Sequence, residues 1–226
     1  MNVKRVAVAV AAAAILGSAN WTAVAGAAPS TGSDSGSASG SASGSSDLWP
    51  VATAPASSAT MILAYSFGNR IPAGVDPART IGDPGPVNEA LAAAVMATRG
   101  DRSIPVYAQT EIAVVLKSRY GLTDVVSIDP DRAADGTLVY LSTDGVAAKV
   151  AELRGPSVST DSVAVVAFKD HLWRATATTA KHGFKAFAPA GVTMPKDYDP
   201  QSGQIWTTSP LLYLPTDLLG RLALLR

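Results

Sequence analysis

The run Ser162-Val163-Ala164-Val165-Val166-Ala167-Phe168 is the feature that most limits what this chain can fold into. After Ser162 it holds no polar residue, so neither face of a strand built from it can meet water. A strand apolar on both faces belongs inside a parallel sheet covered by helices on both sides. The segments around it fit that demand. Thr60 to Tyr65, Ile104 to Ala108, Asp124 to Ile128 and Lys185 to Pro189 are further short apolar runs. Helical patterns separate them: Asn88 to Arg99, Gln109 to Tyr120 closed by Gly121, Ser142 to Leu153, and Leu172 to His182 ended by Gly183. Asn88 is the expected cap of the first, and Ser142, Thr143 or Asp144 of the third. Five strands alternating with four helices predict a three-layer, doubly wound α/β domain with a mainly parallel five-stranded sheet.

The front of the chain reads differently. Lys4 and Arg5 precede the apolar run Val6 to Gly17, and the small residues Ala23 to Ala28 follow. A charged n-region, an apolar h-region and an A-x-A-like site predict a signal peptide over residues 1–27, cut after Ala27. The alternative is an uncleaved anchor reaching Val24, against which Ser18, Asn20 and Thr22 interrupt the apolar run. Ser30 to Ser46 is nearly pure Ser, Gly and Ala, a composition with nothing to bury. A linker over 28–58 and a domain over 59–226 are therefore expected, in a secreted or cell-envelope protein whose only route to a membrane is an uncleaved N-terminus.

Charge and cysteine counts narrow the function. The 226 residues carry 18 basic and 18 acidic side chains, two histidines and no cysteine. A neutral balance argues against nucleic-acid binding, which draws its affinity from phosphate neutralisation. Without cysteine there is no disulfide, thiolate catalysis or Cys-based zinc site, and two widely spaced histidines make no metal centre. Neither a Gly-x-Gly-x-x-Gly nor a Gly-Lys-Ser/Thr loop is present, and no Gly-x-Ser-x-Gly elbow.

In doubly wound sheets, ligands bind at the carboxyl ends of the strands. That edge brings Lys169, Asp170, His171 and Arg174 forward from the strongest strand, Gly68, Asn69 and Arg70 from the first, Gln109 and Glu111 from the second, and Thr143 from the third helix. His171 and Arg174, three residues apart, share a helix face if the helix starts near Asp170. An arginine beside a titratable histidine suits an anionic or phosphorylated ligand. The plainer reading makes Asp170 a cap, His171 a surface residue and Arg174 an ion-pair partner. Glu111 is either a general base or orienter of His171, or a residue matched to the helix dipole. His182 reads as a dipole-complementing residue in a last helical turn.

The block Val165-Val166-Ala167 through His171, Arg174 and Ala175 to Gly183-Phe184 and Pro189 resembles the YdcF-like domain of SanA- and ElyC-type bacterial envelope proteins. Ile62 to Gly68 stands where that family has its first strand and Gly loop, and Leu211 to Leu225 is similar to its closing amphipathic helix. The resemblance covers roughly residues 59–226. It implies a role in envelope biogenesis, with a small anionic or phosphorylated ligand at the carboxyl edge of the sheet. With the strand-edge rule, the expected ligand residues are Gly68, Asn69, Gln109, Glu111, Thr143, His171 and Arg174, with catalysis and cofactor left open. Two positions depart from the pattern. Ala108-Gln109 stands where the family has Ser-Gly, and Val146 where it has Asn, a change expected to strip a two-way hydrogen bonder from the pocket. The competing expectation is a non-catalytic cell-wall interaction or scaffold module with a vestigial pocket.

Overall fold

The structure, a computed structural model, describes residues 49–225. The expected signal peptide and most of the expected linker lie outside the described residues. In chain order the elements are β1 (Thr53–Pro55), β2 (Met61–Ala64), α1 (Gly85–Arg99), β3 (Val106–Gln109), α2 (Thr110–Tyr120) and β4 (Val125–Ile128). A two-stranded hairpin follows, β5 (Asp131–Arg132) and β6 (Leu138–Val139). Then come α3 (Thr143–Arg154), β7 (Ser162–Val166), α4 (Leu172–Lys181), β8 (Lys185–Ala190) and α5 (Pro210–Leu224).

The main sheet is parallel throughout, in the order β1-β8-β7-β2-β3-β4. From the central β2 the chain winds outward through β3 and β4, then returns to the other side of β2 as β7 and β8. The doubly wound α/β architecture is as the apolar runs predict. The sheet has six strands rather than five. The extra one, β1, pairs Thr53 with Ala188 and Pro55 with Ala190. It falls inside the stretch expected to be linker, so the folded unit begins before residue 59. Three residues with one Pro carry too little periodicity to announce a strand, and β8 supplies the template that the local sequence lacks.

Strand alternation divides the core into two layers. Ile62, Ala64, Val106, Ala108, Ala164 and Val166 point to the side covered by α1 and α2. Met61, Leu63, Tyr65, Val163, Val165 and Ala167 point to the side where α3 and α4 place Val146, Val150 and Ala175. Val146 is fully buried there. The position expected to weaken a polar pocket is a core position in this chain, where valine fits and an amide would be left without partners.

Asn88 is not the cap of α1. The helix starts at Gly85, with Pro86 in its first turn, and Asn88 lies one turn inside, fully buried. Its Oδ1 accepts from the Phe67 N–H at 3.0 Å, and its Nδ2 donates to the carbonyls of Gly68 at 2.8 Å and Pro84 at 2.6 Å. Asn88 thus holds the loop leaving β2 against the start of α1. Gly68 itself has φ 70°, and an added Cβ would stand 2.5 Å from Ser202 Oγ and 2.7 Å from Thr207 Oγ1. No side chain fits, so this loop and the segment around residues 202–207 pack backbone to side chain. Elsewhere the local signals act as read: the Ser142 side chain caps α3 by accepting from Gly145 N–H at 3.1 Å, and Gly121 closes α2 in a left-handed conformation. Replacing Asn88 by Ala removes three buried hydrogen bonds. It is expected to lower the unfolding free energy by about 3 kcal/mol in urea titrations, against little change for an exposed control such as Lys117→Ala.

Candidate functional site

The switch in winding direction falls between β2 and β7, and a crevice opens beyond the carboxyl ends of these two strands. The crevice is a cavity of about 400 Å³. Tyr65 to Gly68, leaving β2, form one wall, and His171 and Arg174, leaving β7, form another. Gln109 from the end of β3, Tyr140 to Thr143 at the start of α3, Gln204, Trp206 and Thr207, and Tyr213 of α5 complete it. Five of the seven residues expected at the site, Gly68, Gln109, Thr143, His171 and Arg174, line this one cavity.

Asn69 and Glu111 do not. Both are buried behind the wall, Asn69 donating from Nδ2 to the Tyr140 hydroxyl at 3.1 Å. Burial raises the Glu111 pKa, an effect that hydrogen bonding with Ser66 and Asn69 only partly offsets. Glu111 Oε1 and Asn69 Oδ1 are both buried without a hydrogen-bond partner among the described residues. Glu111 is absent from the cavity lining, and the ring nitrogens of His171 meet Thr143 and Tyr213 rather than Glu111.

The carboxylate that does stand behind His171 is Asp217, 1 % exposed, at 3.7 Å from His171 Nδ1. The Tyr213 hydroxyl lies between them, 2.8 Å from His171 Nδ1 and 3.1 Å from Asp217 Oδ1. Arg174 closes the group: Nε donates to Asp217 Oδ1 at 2.6 Å, Nη1 to Thr143 Oγ1 at 3.0 Å and Nη2 to the Tyr213 hydroxyl at 3.1 Å. An ionised carboxylate can only accept, so the single Tyr213 proton goes to Asp217. His171 Nδ1 must then carry a hydrogen and donate to Tyr213. That assignment leaves the Nε2 lone pair directed at Thr143, 3.4 Å away on the cavity wall.

His171 is neither the surface residue nor the cationic partner that its position suggests. It is 5 % exposed, and burial lowers its pKa to about 4; Asp217 pulls the other way, and the nearby charge of Arg174 adds to the lowering. At neutral pH it is an uncharged acceptor. Burial alone would raise Asp217, but the neighbouring His171, Arg174 and Arg221 outweigh it and hold this carboxyl well below the usual carboxylate range. Asp170, expected as a cap, instead accepts from the Tyr198 hydroxyl at 2.7 Å. His182 bonds Asp144 across the surface at 2.9 Å. Lys169 is exposed and Arg70 pairs with Asp199 at 2.8 Å, and neither lines the cavity.

Two consequences follow for electrostatics. The cavity wall contains no aspartate or glutamate, and its one charged side chain is Arg174. Behind the wall, Asp217 is shared between Arg174 and Arg221, so the cluster keeps one net positive charge. Among the described residues no group of His, Asp or Glu is arranged to hold a metal ion.

Tyr213 and Asp217 are the functional residues that strand-edge reasoning misses, because they come from the last helix rather than from a strand end. A signal was present: Tyr213, Asp217 and Arg221 recur every fourth residue as the polar stripe of a helix otherwise rich in leucine. Gly220 belongs with them, since a Cβ there would stand 2.8 Å from Arg174 Cδ. No family model, curated protein or solved structure matches the chain.

The buried histidine sets a pH dependence. As pH falls below about 6.5 the unfolded chain takes up a proton that folded His171 refuses until about pH 4, so stability is full above this window and falls through it. Asp217, with its depressed pKa, removes further stability only below about pH 4. Urea unfolding is expected to give about 2–3 kcal/mol less stability at pH 4.5 than at pH 7 from this group, and His171→Gln should flatten that slope.

Proposed function

We propose that this protein is an exported, YdcF-like envelope protein whose domain binds a small anionic or phosphorylated ligand in the cavity at the carboxyl edge of the sheet. The observation that carries the reading is electrostatic: an open cavity at the switch point of a doubly wound sheet, free of carboxylates, with an arginine as its one charged lining group. Arg174 uses one N–H of each terminal nitrogen for Thr143 and Tyr213. A guanidinium has two N–H groups on each of those nitrogens, so two donors remain for a phosphate or carboxylate. The amino end of α3, at Ser142 and Thr143, adds the partial positive charge of a helix N-terminus on the same side. Gln109, whose Oε1 is occupied by the Ser66 N–H at 3.0 Å, has its amide nitrogen available as a neutral donor.

His171 gives this pocket its chemical possibility. With Nδ1–H committed to Tyr213 and Asp217 behind it, Nε2 is a fixed acceptor on the wall, suited to a hydroxyl of the ligand or to an attacking water. A pKa near 4 makes it a weak base, so binding is the function supported and turnover stays open. The cavity also bears on the alternative of a scaffold with a vestigial pocket. A vestigial site is expected to fill with side chains once selection on it lapses, whereas about 400 Å³ is open here.

Arg174 need not be either a ligand group or an ion-pair partner, since its Nε faces Asp217 while its terminal nitrogens face the cavity wall. Arg174→Lys keeps the charge and loses the fork, and is expected to weaken binding of a pyrophosphate probe by about 1–3 kcal/mol in calorimetry. The intact chain should gain melting temperature with rising pyrophosphate, because ligand bound only to the folded state stabilises it. A melting temperature indifferent to pyrophosphate and to phosphate monoesters, or equal affinities in the parent and Arg174→Lys, would contradict the reading.

A further inference from the structure

Helix α5 sits on the domain with its polarity inverted. Tyr213 and Asp217 are buried, and Arg221 is nearly so; these polar groups face inward and bond to the domain. Leu211, Leu212, Leu214, Leu218, Leu219 and Leu222 face outward, each between 45 % and 87 % exposed. At 100° per residue they cover an arc of roughly 160° on the side opposite the buried stripe. Ile205 and Trp206, 70 % and 50 % exposed, come from the 3₁₀ turn that packs beside the helix. Helices in soluble domains turn such a face toward the core. Here the core side is held by ion pairs and the apolar side is left bare.

The six leucines alone expose on the order of 600 Å², the upper end of the largest patch on a typical monomer. With Ile205 and Trp206 the surface approaches the roughly 800 Å² that each partner brings to a stable interface. The chemistry of the face selects among occupants. Helices that lie on bilayers flank their apolar face with lysine or arginine that meets anionic headgroups. In α5 the charged residues are Asp217 and Arg221, both turned into the domain, so that flank is absent. A leucine face with no charge of either sign is complementary to itself, and a chain with no net charge does not repel its own copy.

We propose that the leucine face of α5, with Ile205 and Trp206 at its edge, is the interface of a two-fold homodimer. The two α5 helices pack leucine against leucine, each fixed to its own domain through Asp217. Trp206 belongs both to the edge of this face and to the cavity lining, so the dimer interface borders the cavity, and the pairing is tested separately from ligand binding.

Sedimentation equilibrium of the full chain tests this directly. The parent protein is expected at twice its 23.0 kDa chain mass, and the double variant Leu211→Glu, Leu218→Glu at the chain mass with an unchanged melting temperature. Because the sequence has no cysteine, Leu218→Cys offers a second readout that does not depend on the charged variant folding. Mild oxidation should cross-link it to a covalent dimer, while Lys117→Cys on α2 should form no covalent dimer. A parent protein at the chain mass at every concentration overturns the proposal. So does a dimer that survives both glutamates, which would put association in the apolar N-terminal run. Flotation of a monomeric parent with phosphatidylcholine vesicles, abolished by the same glutamates, would assign the face to lipid instead.

Discussion

Asp217 receives Arg174, Arg221 and the Tyr213 hydroxyl while 1 % exposed, and the arrangement of the site depends on it. A buried carboxylate is costly unless its lone pairs are filled, and three donors fill this one. The consequence is positional. Arg174 comes from α4, and Tyr213, Asp217 and Arg221 from α5, so the shared anion ties the closing helix to the element that follows β7. Through Tyr213 the same anion fixes the tautomer of His171, and through Arg174 it fixes the Thr143 hydroxyl. Four side chains of the cavity wall or its backing are thus oriented by a group that never reaches the cavity.

The backbone supplies the opposite wall. Asn88 binds Phe67 and Gly68 from beneath, and Gly68 admits the close approach of Ser202 and Thr207. Phe67 stacks on Phe168 at 4.0 Å between ring centroids, joining the exits of β2 and β7 under the crevice. The crevice is therefore bounded by rigid contacts on both sides, which is what a pocket needs if ligand binding is not to be offset by ordering the site. The chain entering from the N-terminal side is tied to the same region: Trp49 meets Trp173 edge to face at 4.7 Å, with the Arg221 guanidinium 5.5 Å from the Trp173 ring centre.

How much of this the sequence foretold depends on whether a residue's role is local. The apolar run at Val163 to Phe168, the cap at Ser142 and the stop at Gly121 depend on near neighbours, and each is legible. The carboxyl-edge rule then brings Gly68, Gln109, Thr143, His171 and Arg174 to one cavity. What was hidden is tertiary. Asn88 looks like a cap because polar residues at helix starts usually are, and it is a buried tether because the β2 loop folds over it. His171 looks titratable and exposed, and α5 buries it. Glu111 follows a strand end as a general base would, but it is buried and absent from the cavity lining. Strand β1 forms because β8 offers an edge. Val146, read from a resemblance as a lost ligand group, is a fully buried core residue.

One carboxylate on the last helix organises the site. The most direct measurement is the unfolding free energy of Asp217→Asn at neutral pH. Removing the charge leaves Arg174 and Arg221 facing each other across a neutral amide in a buried setting. The expected loss is about 3–5 kcal/mol relative to the parent chain, the scale for breaking a buried pair from one side. A variant within about 0.5 kcal/mol of the parent, the range of an ordinary surface change, would contradict it.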